Sequence, residues 1–76
     1  MDEVARIAAR LALVRDAARA IAEAPAGQLL PALAQLELDT RGDPDLFEEV
    51  VADLLWRLDG HRELAVIRWL HRGFEG

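Results

Sequence analysis

The chain of 76 residues contains no cysteine, lysine, serine, asparagine or tyrosine, and Thr40 is its only hydroxyl. Each absence removes a chemistry. Without cysteine there is no disulfide framework and no thiolate metal site. Only Thr40, a carboxylate or a histidine is left to act as a nucleophile, and Thr40 has no base beside it in sequence. His61 and His71 are ten residues apart, about 15 Å along one helix, too far to share a metal whose ligand bonds are about 2 Å. Glu49 and Asp53 share a helix face, but no second helix offers them a Glu-x-x-His partner. These gaps predict a protein that is not an enzyme and carries neither a metal nor a cofactor.

All nine positive charges are arginine. Lysine, asparagine and tyrosine have A/T-rich codons, so their absence beside abundant Ala, Arg, Leu and Gly points to a GC-rich bacterial or phage genome. The opening stretch, MDEVARIAARLALVRDAARA, has an arginine every four or five residues. That spacing argues against a signal-peptide core and against a membrane span, and the expected location is the cytoplasm.

What is present is apolar and helical. Hydrophobic residues make up 53% of a chain with net charge −5. So short a chain buries only about 60% of its unfolded surface, which suggests an oligomer that completes its core between subunits. The expected fold is a single all-α domain over residues 1–76: a small four-helix bundle with one long N-terminal helix and three shorter ones, completed by dimerisation. The helices are expected near 2–24, 28–38, 44–59 and 61–72.

In the first helix Val4, Ile7, Leu11, Val14, Ala18 and Ile21 follow a 3-4-3-4-3 spacing, an a/d seam three heptads long. This seam is the expected self-association surface. Asp2 and Arg6 form an i,i+4 pair of favoured polarity, and Pro25 and Gly27 end the helix. The second helix puts Leu29, Leu30, Leu33 and Leu36 on one side, with Pro31 tolerable only in its first turn. The third has the clearest start signal, Asp43 as cap and Pro44 at the first helical position. Its Leu46, Phe47, Val50, Val51, Leu54, Leu55 and Leu58 cover about half the circumference. Gly60 is the expected C-cap. The fourth helix sets Leu64, Val66, Ile67, Leu70 and His71 on its inner arc, with Gly73 closing it and Phe74 folding back.

Three of the four aromatic residues, and much of the positive charge, fall near the C-terminal end. Trp56 points away from the leucine face of the third helix. Trp69 lies at the edge of the fourth, between Arg62 and Arg72. Three readings are open, simple exposure to solvent being one of them. Both tryptophans can flank a second packing surface within the monomer. Alternatively Trp56, Arg62, Trp69 and Arg72 form a partner-binding surface, since Trp and Arg are enriched at interface hot spots. Residues 37–53 hold seven acids against Arg41, whereas residues 57–72 hold four arginines against Asp59 and Glu63. The two segments can pair between subunits or give the surface two poles.

The functional expectation is a non-catalytic helical protein–protein interaction module: an adaptor, inhibitor or small regulatory subunit that associates with itself and with another protein. The alternative is a small dimeric helix-turn-helix-like regulator that binds nucleic acid through residues 48–72, with Arg62, Arg68 and Arg72 reaching a groove. A pI near 4.8 counts against it, because phosphate binding rests on basic surface.

Overall fold

The computed structural model describes residues 2–72 and is helical throughout, with no strand among them. Four α-helices follow one another: α1 (Asp2–Ala22), α2 (Leu29–Asp39), α3 (Pro44–Arg57) and α4 (Gly60–His71), with a single 3₁₀ turn, Ala26–Gln28, leading into α2. No helix in this span is long and apolar enough to cross a membrane. The expected Gly73 stop and Phe74 fold-back lie outside the described residues.

Local chemistry explains most of the boundaries. The Asp43 carboxylate accepts a hydrogen bond from the Leu46 N–H at 3.2 Å, and Pro44 occupies the first turn, where its missing donor costs nothing. Thr40 closes α2, its Oγ donating to the Leu36 carbonyl at 2.8 Å. The chain's only hydroxyl is therefore engaged in ending a helix. Pro31 sits in the first turn of α2, and α1 stops before Pro25, as expected.

Gly60 is not a C-cap. It opens α4, while Leu58 leaves α3 in an extended conformation and the Asp59 carboxylate caps α4 by accepting from the Arg62 N–H at 3.0 Å. The start signal of the second helix wins over the stop signal of the first because the junction is only two residues long. No residue there needs a positive φ.

Packing follows the up-down-up-down order of the chain. Arg10 of α1 reaches Asp43 and Glu49 at the start of α3, and Arg62 Nη1 at the start of α4 donates to the Ala22 carbonyl at the end of α1. So α1 and α3 run in the same sense, and α4 returns along α3 to put Trp69 against Phe47. One buried cluster joins all four helices: Val14, Ala18 and Ile21; Leu29 and Leu33; Val50, Val51 and Leu54; and Val66.

The inner face of α4 departs from expectation. Leu64 is 55% exposed and His71 is also exposed, whereas Arg62, Glu63, Trp69 and Leu70 flank the buried Val66. At 3.6 residues per turn Leu64 and His71 stand about 160° and 140° round the helix from Val66. The large Trp69 ring, seated on Phe47, sets the rotation of the helix and turns Leu64 outward.

The molecule is long and thin, 43 × 26 × 17 Å, with a radius of gyration of 13.1 Å, against about 11.4 Å for a compact 76-residue domain. Its accessible surface is 5621 Å², where a compact monomer of this mass exposes about 4,600 Å². The elongation comes from α1. Arg10 marks the level at which α3 begins, and residues 2–9 are all exposed.

Candidate functional site

The stripe predicted on α1 divides after Leu11. Val14, Ala18 and Ile21 are buried in the core, while Val4, Ile7 and Leu11 are 70%, 56% and 63% exposed. The seam therefore does two jobs. Its C-terminal half packs against the neighbouring helices, whereas Val4 and Ile7 precede the level at which α3 begins and Leu11 edges a hollow between α1 and α3, all three exposed among the described residues. Leu13, which lies off that stripe, is exposed as well. The expected Asp2–Arg6 pair does not form, whereas Asp53 and Arg57 meet at 3.1 Å.

Arg10 fixes the point where the helix leaves the bundle. Its guanidinium bonds Glu49 through Nε at 2.8 Å and Asp43 through Nη1 at 3.1 Å. Sequence reasoning missed this residue, because its partners lie 33 and 39 positions away. The Arg10 hydrogen bond, with the Leu46 N–H second, holds the Asp43 carboxyl below its ordinary value of 3.8; Asp43 and Glu49 in turn raise Arg10. A carboxyl lowered by folding binds fewer protons in the native state, so its stabilisation is complete above the ordinary value and is lost as pH falls through the folded one. Thermal midpoints taken from about pH 6 down to about 2 are expected to fall on the acid side, and less steeply in Asp43→Asn. An identical acid limb in the two proteins would refute this role for Asp43.

The four residues predicted to bind a partner do not gather into one surface. Trp69 is half-buried, with its ring centroid 6.5 Å from that of Phe47 and the Arg72 guanidinium 3.7 Å above it. Arg72 also donates to the Trp69 carbonyl at 2.7 Å and to Glu37 at 2.9 Å. Arg62 reaches the Ala22 carbonyl at 3.3 Å. These three are engaged within the chain. Trp56 is the exception, 90% exposed at the edge of a hollow of about 490 Å³ that it lines with Ala52, Leu55, Leu58 and Glu63.

A second hollow of about 540 Å³ adjoins it, running between α1 and α3 and lined by Leu11, Val14, Arg15, Glu49, Ala52, Asp53 and Arg57. Ala52 belongs to both. Leu11, Ala52 and Trp56 therefore lie along one face, and the bare stripe of α1 runs into it.

Part of the charge is paired within the chain. Of the seven acids in residues 37–53, Glu37, Asp43, Glu49 and Asp53 are paired with Arg72, Arg10, Arg10 and Arg57. Among the described residues Arg6, Arg15, Arg41, Arg62 and Arg68 make no ion pair. No group of three His, Asp or Glu residues in this span is placed to hold a metal. Comparison with known protein families, with curated proteins and with solved structures gives no match.

Proposed function

We propose that the chain is a non-catalytic helical protein–protein interaction module that associates with itself through the N-terminal half of α1. The observation that carries this reading is the exposure of Val4, Ile7 and Leu11 on a helix that outruns its neighbours. Covering a side chain of this kind contributes about 1.5–3 kcal/mol, so three on each copy are a large reserve for association. The shortage of nucleophiles supports a binding role. A groove-reading regulator would need Arg62, Arg68 and Arg72 together, and two of these are tied to groups of their own chain.

Light scattering at about 100 µM is expected to give twice the 8.4 kDa chain mass. Ile7→Glu is expected to return the monomer, with the thermal midpoint that the wild type shows when diluted below its association, because Ile7 lies outside the core. A wild-type monomer at that concentration would refute the reading. Salt-dependent retention of the wild type on heparin or duplex DNA would favour the regulator instead.

A further inference from the structure

We infer that the partner seated on the α1 stripe is a second copy related by a two-fold axis, and that the Trp56 of each copy is the group covering the Ile7 stripe of the other. This rests on the self-association reading and specifies its geometry. Three observations lead to it.

The first is spacing. Leu11 and Ala52 line the same groove between two helices that run in the same sense. From Leu11, Ile7 lies four residues towards the start of α1, and from Ala52, Trp56 lies four residues towards the end of α3. Both steps are about 6 Å along the helix axes. A two-fold axis through the Leu11–Ala52 groove therefore exchanges the two ends of this face. The mate's Trp56 arrives over Ile7, and Ile7 of the mate arrives under Trp56. A face that holds a knob and a bare stripe at equal distances from its centre is self-complementary, as an isologous interface requires.

The second is charge. Glu63 shares the Trp56 hollow and makes no ion pair, while Arg6, next to Ile7, is also unpaired among the described residues. The same rotation brings the mate's Glu63 to the level of Arg6, twice over in the dimer. The third is area. The surface in excess of a compact monomer, about 1,000 Å², is close to the roughly 800 Å² per partner that a standard interface buries.

The test is the dimer dissociation constant by sedimentation equilibrium, with circular dichroism and thermal midpoints to establish that each variant is folded. Trp56→Ala is expected to weaken the dimer by about several hundred-fold, because the two-fold dimer loses two hot-spot anchors of about 2 kcal/mol each. Arg6→Glu and Glu63→Arg are each expected to weaken it, and the double reversal to recover most of the loss. If Ile7→Glu abolishes the dimer while Trp56→Ala leaves its constant unchanged, self-association through α1 stands and the Trp56 seat is overturned. If the dimer is indifferent to Ile7→Glu, or the wild type is monomeric, both are overturned.

Discussion

Leu54→Ala is expected to lose about 2–5 kcal/mol of stability, the range for emptying a fully buried leucine site. Leu54 has no exposed surface and lies in the cluster that joins all four helices. A chain of this size has about 4–11 kcal/mol in total, so the substitution removes up to half of it or more. At about 4–8 °C per kcal/mol for a small domain, the thermal midpoint falls by about 8 °C at the least. Urea unfolding checks the size of the loss, because a midpoint that drops at constant slope reports stability alone. Leu38→Ala, at an exposed leucine of α2, is the matched control. A loss below about 1 kcal/mol at Leu54 would contradict the burial described here.

The two tryptophans are expected to respond in opposite ways. Trp69→Ala removes the ring that rests on Phe47 and seats the Arg72 guanidinium. A fully buried tryptophan costs about 3–5 kcal/mol on truncation, and for this half-buried one about 2–4 kcal/mol is expected. Trp56→Ala empties a site that is already solvent and belongs within about 0.5 kcal/mol of the wild type in the monomer. Measuring both below the concentration of association separates folding from binding. If Trp69→Ala leaves the midpoint unmoved, its ring is not holding α4 to α3.

Periodicity within single helices carried the fold a long way. The leucines of α2 and the broad apolar face of α3 lie where their spacing puts them, and Asp43 and Pro44 begin α3 as their chemistry requires. The misjudged positions depend on neighbours. Nothing in α4 alone favours the Trp69 side over the Leu64 side until Phe47 is across from it. Gly60 resembles a stop until Asp59 is seen capping the next helix. A heptad seam states which residues share a face but not how far the facing helix extends, so the division of α1 after Leu11 needed the position of α3. Trp56 was readable as off the apolar stripe, and the engagement of Arg62, Trp69 and Arg72 within their own chain was not.

The overhang makes α1 continuous in geometry and discontinuous in free energy. Turns carrying Val14, Ala18 and Ile21 open only when the core opens. The turns before Arg10 are held by little beyond their own backbone hydrogen bonds, in a segment shorter than the roughly 12–15 residues an isolated helix needs in water. What sustains them is that nucleation has already occurred further along, so each added residue meets only the propagation step. Ala5, Ala8 and Ala9, from the best helix-forming residue type, set the population in which Val4 and Ile7 stand in register. A partner docking on this stripe, as proposed above, would select that population, and its apparent affinity would scale with it. Three alanines that need touch no partner would thus tune how tightly one is held.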